Sequence, residues 1–177
     1  RPSWPHFRDS QRRLADNIAH CDFAVSSDKG HPTDVHPKEK APVGERLARL
    51  ALNQTYGMTH IAQHGPTPVR ALCFREKTII EFSNSTKLKT SDGEPLRGLE
   101  IAGKTGGFTA VDFEKQATIK DNIIIINCAA HRIRYAWKPY TDANLVNEEG
   151  LPASTFEIKA EIPTGRGMYR GNNRMRP

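Results

Sequence analysis

The sequence has few cysteines, few aromatic residues and no long apolar run. Its three cysteines, Cys21, Cys73 and Cys128, are odd in number and widely spaced, which excludes a disulfide framework and a CxxC metal site. The seven histidines include no HExxH motif and no other paired metal spacing, so neither a metal nor a cofactor is expected. No apolar run approaches the roughly 20 residues that a membrane-spanning helix needs, so no membrane span is expected. A chain of 177 residues then predicts one ordinary domain or two small ones.

The excess of positive charge lies at one end of the chain. The net charge is +6, but four arginines fall within 166–177, where there is no acidic residue. Without them the chain is nearly neutral. Residues 163–177 are therefore predicted to form a basic, disordered tail. No nucleic-acid partner is expected, because apart from Tyr169 the tail has no aromatic residue among its basic ones.

Residues 1–57 combine helical and strand-like patterns. The predicted elements in order are a helix over 7–18, a buried strand over 23–25, a loop over 26–37 and a helix over 43–56. Leu14 and Ile18 share one face of the first helix, and Gly57 suits the end of the second. This order is that of the closing unit of an α/β sheet, although no earlier strand is present to pair with it.

Beyond a linker at 58–67, the apolar period changes from 3.6 to 2. Short strands separated by turns every eight to twelve residues predict an all-β sandwich over 68–162. The predicted strands are 69–74, 78–82, 99–102, 108–113, 117–119, 123–126, 133–137 and 156–158. The chain is thus predicted to be α/β followed by all-β.

The loop at 26–37 carries the residues best suited to catalysis. In α/β hydrolases a histidine in such a loop is the general base, and a carboxylate on its other nitrogen fixes the tautomer. His36 with Asp34 supplies both groups. Asp28 and His31 offer a competing spacing. In the structural alternative, Asp34 only caps the helix that follows.

Two further features bear on function. None of the eight serines lies on a sharp turn beside glycines, where a hydrolase would hold its nucleophile, so the catalytic machinery is incomplete. Trp137 and Tyr140 lie at the end of a predicted strand and just after it, where aromatic rings either stack on a sugar or belong to the core.

Several sequence blocks occur in the order found in a known enzyme family. They are FRDSQRRL (7–14), AVSSDKG (24–30), DVHPKEK (34–40), VGERLA (43–48), LKTSDGEPLRG (88–98), EIAG (100–103), RYAW (134–137) and NLVNEEGLPAS (144–154). Over about 4–158 the chain resembles bacterial sialate O-acetylesterases of the SGNH hydrolase superfamily. The resemblance implies that 1–57 ends a flavodoxin-like, three-layer catalytic domain and that 68–162 is the C-terminal β-domain of the same family.

The resemblance also implies an activity, namely hydrolysis of O-acetyl esters of sialic acids through an acyl-enzyme on serine. His36 would be the general base and then the general acid, with Asp34 as its carboxylate. In the superfamily two residues separate the aspartate from the histidine, whereas one residue separates Asp34 from His36 here. Asp28 is therefore kept as the alternative carboxylate. The family's serine and oxyanion donors lie in an upstream portion of the protein, which is the expected partner.

The resemblance favours a periplasmic or secreted bacterial protein. The chain begins at Arg1 without an initiator methionine or a signal peptide, so we expect a processed product or a fragment. The alternative hypothesis is a non-catalytic carbohydrate-binding or structural β-module that retains a remnant of an α/β domain.

Overall fold

Three α-helices and ten strands form within residues 3–34 and 36–163, which a computed structural model describes. The helices are α1 (Trp4–Ala15), α2 (Ala41–Gln54) and α3 (Phe113–Gln116), with a short 3-10 turn at Ser27–Lys29. The predicted basic tail, apart from its first residue, lies outside the described residues.

Proline sets the start of both long helices. Pro5 and Pro42 occupy the first turns of α1 and α2, where a missing N–H costs no helical hydrogen bond. The helix predicted over 7–18 therefore begins three residues earlier, at Trp4. Gly57 follows α2 with a φ of +69°, and the Met58 N–H donates to the carbonyl oxygen of Leu52 at 3.0 Å. The C-cap of α2 is Thr55, so the prediction that Gly57 caps this helix is wrong, and Gly57 lies two residues beyond the cap.

The apolar faces of both helices are only partly covered by the described chain. Leu50 of α2 is buried, but Leu47 on the same helix is 52% exposed. Phe7 and Leu14 of α1 are 54% and 55% exposed. Contiguous apolar surface on a helix face is a common sign of a missing contact.

The strand predicted over 23–25 is wrong for the described chain, where residues 21–26 are irregular. A strand needs a neighbour to satisfy its backbone groups, and neither sheet in the described ranges includes this segment. Side chains form hydrogen bonds with its backbone instead. The Phe23 N–H donates to Asp22 Oδ1 at 2.7 Å, and the Val25 carbonyl oxygen accepts from Arg46 at 2.6 Å.

The β-domain contains the two sheets of the described chain. Its strands are β1 (Thr67–Cys73), β2 (Thr78–Ser83), β3 (Lys89–Thr90), β4 (Leu99–Ala102), β5 (Thr109–Ala110), β6 (Ala117–Lys120), β7 (Ile123–Ile126), β8 (Arg132–Tyr135), β9 (Leu145–Val146) and β10 (Phe156–Glu161). Eight of them form one sheet in the order β5-β4-β8-β10-β1-β2-β7-β6, and β3 pairs with β9. The β1–β10 pair is parallel and every other pair is antiparallel.

The mostly-β character of this region agrees with the prediction, but its hydrogen bonding differs from that of two separate sheets. The parallel β1–β10 pair joins the two halves into one continuous sheet that curls around a single core. Phe82 and Phe156 meet edge to face in that core with ring centroids 5.9 Å apart. Tyr135 stacks on Phe156, and the Leu145 N–H donates to its hydroxyl at 2.7 Å. Burial raises the pKa of Tyr135 well above its ordinary value.

Arg8 attaches α1 to the β-domain. Its guanidinium group donates to Thr155 Oγ1 at 2.8 Å and to the carbonyl oxygens of Ala136, Lys138 and Pro139 at 2.8, 2.7 and 3.2 Å. Burial lowers the pKa of Arg8. Because the carbonyl oxygens belong to one turn after β8, Arg8 holds that turn in place.

Asn147 attaches the segment predicted as a linker. It is 2% exposed, and its amide nitrogen donates to the carbonyl oxygens of His64 and Asn84 at 3.0 and 3.1 Å. Nearby, a Cβ on Gly65 would lie 2.1 Å from the carbonyl oxygen of Pro152. The chain therefore packs tightly here, while the division into 1–57, 58–67 and 68–162 stays a prediction.

Candidate active site

Arg46 holds the loop that carries the candidate catalytic residues. Its two terminal guanidinium nitrogens each lie 2.7 Å from one carboxylate oxygen of Asp28, which is in the short 3-10 turn of the loop. Arg46 also donates to the carbonyl oxygen of Val25, so one side chain of α2 fixes both the irregular segment and the loop. Across the loop, Lys29 Nζ lies 2.8 Å from Glu39 Oε2. Two-point arginine–carboxylate pairs are among the stronger ionic contacts.

His36 and Asp34 lie together on the outer part of this loop. The Nδ1 atom of His36 is 3.3 Å from Asp34 Oδ1, and the His36 backbone N–H donates to the same oxygen at 2.8 Å. The His36 side chain is 85% exposed. With a carboxylate beside Nδ1, Nε2 is the ring nitrogen that remains free to exchange a proton with a reacting group.

His31 has a different role in the loop. Its Nδ1 atom accepts the backbone N–H groups of Thr33 and Asp34 at 3.3 and 3.1 Å. The neutral ring therefore carries its proton on Nε2. These bonds shape the turn that presents Asp34 to His36. Asp28, the alternative carboxylate, directs both oxygens to Arg46.

An open depression surrounds these groups, with a volume of about 250 Å³. Its lining comprises Asp28, Lys29, Gly30, His31, Asp34, His36, Pro37, Lys38 and Glu39. Among these described residues there is no serine, threonine or cysteine, so the described lining supplies no hydroxyl or thiol nucleophile. In the described ranges, no group of three or more His, Cys, Asp or Glu residues is placed to hold a metal ion. No helix of the described chain is long and apolar enough to cross a membrane.

The two aromatic residues considered for sugar stacking lie in different surroundings. The Trp137 ring contacts His6 of α1 edge to face, with centroids 5.0 Å apart, and the Arg134 guanidinium lies 5.8 Å from its centroid. Tyr140 is 42% exposed. Its Cδ2 atom lies 3.9 Å from the position of a Cβ on Gly30, which lines the depression.

Sequence reasoning missed Arg46 and Arg8 as residues that hold the site. Arg46 lies between the apolar positions of α2, where a charged residue is expected to be exposed, whereas the structure leaves it only 9% exposed. The available signal for this ion pair was Asp28 in the preceding loop. Arg46 lies 18 positions later, and no periodic pattern connects the two residues. The contacts of Arg8 lie 128 to 147 positions along the chain and leave no local signal.

Comparison with known proteins finds similarity to a solved structure. No family model matches the chain, and no curated protein matches it. The structure is similar to the crystal structure of a novel carbohydrate acetylesterase from Xanthomonas citri, with a TM-score of 0.67 and 33% sequence identity. The match covers 75% of this chain and 31% of that protein, so this chain corresponds to about a third of its length. Over three quarters of its residues, the chain is therefore similar to part of a carbohydrate acetylesterase.

Proposed function

We propose that this chain is part of a carbohydrate acetylesterase and carries the enzyme's general base. The observation that supports this most directly is the 33% identity to a carbohydrate acetylesterase over 75% of the chain. The second support is independent of that similarity. His36 and Asp34 have the relative position of a base and its orienting carboxylate, on the rim of an open depression.

In the proposed reaction, His36 acts on a serine supplied from outside these 177 residues. His36 Nε2 takes the serine proton as Oγ attacks the acetyl carbonyl carbon. It then returns that proton to the sugar oxygen as the ester C–O bond breaks, leaving an acetyl-serine. A water molecule then attacks the acetyl-serine with the same help from His36, which releases acetate and restores the serine. Asp34 at Nδ1 stabilises the imidazolium that forms in each half-reaction.

The exposed apolar residues of α1 and α2 support the proposed partner, an upstream SGNH portion of the same protein. Phe7, Leu14 and Leu47 are each more than half exposed. The segment at 21–26 lacks a neighbouring strand within the described chain. Both features fit a sheet whose other strands are supplied by that portion, with 1–57 as its closing unit.

For the substrate, we propose an O-acetyl ester of a sialic acid, cleaved by a Ser-His-Asp mechanism in a periplasmic or secreted bacterial enzyme. The ordered sequence blocks around His36 and Trp137 support this choice.

A non-catalytic carbohydrate-binding module is the second candidate. It is favoured by the lack of a nucleophile in the described lining of the depression.

The experiment pairs this chain with its serine-bearing portion and measures acetate release. Substrates are an O-acetylated sialic acid and an acetylated neutral oligosaccharide. We expect activity, and a loss of at least about 10²-fold in kcat for His36→Ala, because a general base contributes at least that much. His60→Ala is the matched control, as an exposed histidine outside the candidate catalytic loop. Normal kcat in His36→Ala would make the assignment of the base wrong, and glycan binding without turnover would favour the binding module.

A further inference from the structure

Tyr140 is an exposed aromatic residue of the β-domain that lies against the candidate catalytic loop. Its ring is 42% exposed, and a Cβ added to Gly30 would stand 3.9 Å from Tyr140 Cδ2. Gly30 lines the same depression as His36 and Asp34. The β-domain thus places an aromatic ring beside Gly30, one of the residues that line a largely charged depression.

The chain around Tyr140 is held on both sides. Before it, Arg8 binds the carbonyl oxygens of Lys138 and Pro139. After it, Thr141 is buried, and its Oγ1 accepts the Ala143 N–H at 3.1 Å. An exposed ring on a fixed backbone loses little conformational freedom when it binds a ligand, which favours affinity.

Gly30 leaves room beside the ring. Its φ of −70° and ψ of 170° are open to any residue, so backbone strain does not require glycine there. With no side chain at Gly30, the position 3.9 Å from Tyr140 Cδ2 is left unfilled by that residue. Lys38, which also lines the depression, supplies a hydrogen-bond donor.

A sugar ring can bind both to the charged groups of the depression and to the aromatic ring beside it. Its hydroxyl groups bind charged and polar side chains, and its C–H faces pack on aromatic rings. Trp137, the other aromatic residue near this turn, is already in contact with His6 and Arg134. Tyr140 is the better placed of the two to meet a ligand.

We propose that Tyr140 stacks on a sugar ring of the substrate and holds it beside His36. This inference rests on the proposed esterase function, and it assigns substrate contact to a residue of the β-domain. The ring contacts the sugar and leaves the acetyl group to the catalytic residues. Its loss should therefore affect binding of a sugar ester and leave a small ester unaffected.

The test compares two substrates in the enzyme assembled with its serine-bearing portion. One is an O-acetylated sialic acid, and the other is a small chromogenic acetate ester without a sugar. Tyr140→Ala should raise KM for the sugar ester about fivefold with little change in kcat. KM for the small ester should not change. Tyr140→Phe keeps the ring and should stay within about twofold of wild type.

Two further variants make the test specific. Gly30→Leu fills the space beside the ring and should raise the same KM. Tyr56→Ala removes a more exposed tyrosine, which is 71% exposed just beyond the far end of α2, and should have no effect. If Tyr140→Ala leaves KM for the sugar ester unchanged, or raises KM for both esters alike, the proposal is wrong.

Failure of the proposed function gives a different result, namely that neither ester is hydrolysed. In that case, ligand-observed NMR on the 177-residue chain tests separately whether Tyr140 binds a sugar. The probes are the same O-acetylated sialic acid and an acetylated neutral oligosaccharide. Binding by wild type that is lost in Tyr140→Ala would support the stacking role. Binding that persists in that variant, or no binding by wild type, would overturn it.

Discussion

Arg46 binds both carboxylate oxygens of Asp28 at 2.7 Å, whereas Asp34 lies beside His36 with Oδ1 3.3 Å from the imidazole Nδ1. The two acidic residues of the loop therefore have separate tasks. Asp28 fixes the loop to α2, and Asp34 faces the candidate base. A carboxylate already held by an arginine is poorly placed to stabilise an imidazolium at the same time.

Substitution of the two aspartates should separate these tasks in the assembled enzyme. Asp34→Asn removes the charge beside His36 and should lower kcat by about 10²-fold, with little change in Tm. Asp28→Asn weakens the contact with Arg46 and should lower Tm by a few degrees with most of kcat kept. Acetate release and thermal unfolding measure the two effects. A larger loss of kcat in Asp28→Asn than in Asp34→Asn would reverse the assignment.

Arg8→Ala should weaken the attachment of α1 to the β-domain. The substitution removes the charged donor from the carbonyl oxygens of Lys138 and Pro139 and leaves that of Ala136 only the longer bond from Thr155 Oγ1, at 3.4 Å. Hydrogen bonds to a charged group contribute about 1.5–3 kcal/mol. We expect the free energy of unfolding, measured in urea, to fall by about 2 kcal/mol. Arg8→Lys should recover little of this loss, since an ammonium group cannot reach all of these acceptors at once. The exposed Lys104→Ala is the control, and an equal loss there would contradict the role of Arg8.

Two glycine-to-alanine substitutions should change stability in opposite directions. Gly65→Ala places a Cβ 2.1 Å from the Pro152 carbonyl oxygen, and the backbone must move to accept it. We expect a loss of about 2–3 kcal/mol, as for other overpacked sites. Gly44 lies within α2 with nothing within 4 Å of the added atom. Gly44→Ala should therefore gain about 0.5–1 kcal/mol from helix propensity. Chemical denaturation measures both, and a stable Gly65→Ala protein would show that the contact with Pro152 relaxes easily.

Glu148 should make the β-domain sensitive to acid. Backbone N–H groups of Glu148 itself and Thr86, with the hydroxyls of Thr86 and Ser85, lower the pKa of this carboxyl from 4.5 to about 2. Because the folded-state pKa is depressed, this stabilisation is complete above pH 4.5 and is lost as the pH falls towards 2. Glu148→Gln cannot ionise, so its Tm should fall less between these pH values than that of wild type. Glu149→Gln, one position later and also exposed, should keep the wild-type pH dependence; an identical profile for Glu148→Gln would exclude this contribution.

The strands of the β-domain were the most predictable elements, because alternation is a local signal. The predictions for 99–102 and 123–126 have the bounds of β4 and β7. Within β7, Ile124 and Ile126 are fully buried, while the other two isoleucines are partly exposed. The two-residue strands β3 and β9 were missed, since so short a segment has no period.

Non-local contacts account for what the sequence did not reveal. The parallel pairing of Ala71 with Ala160 joins segments 89 positions apart, and no local pattern predicts it. The apolar residues at 23–25 were interpreted as a strand, but a strand requires a neighbour that the described chain does not supply. In the candidate site, His36 and Asp34 could be named because they are two positions apart. Tyr140 was named only as a sugar-stacking candidate, and its place beside Gly30 depends on packing of the β-domain against the loop.

The parallel pairing of β1 with β10 also has a mechanical consequence. The chain enters β1 at Thr67 and leaves β10 at Glu161, and these two points lie at opposite ends of the strand pair. Tension applied to the two ends of the β-domain would therefore load the hydrogen bonds between these strands together, in shear. An antiparallel pair loaded from one end would instead release its bonds one at a time. We expect the β-domain to resist stretching between neighbouring parts of a larger protein better than its modest size suggests.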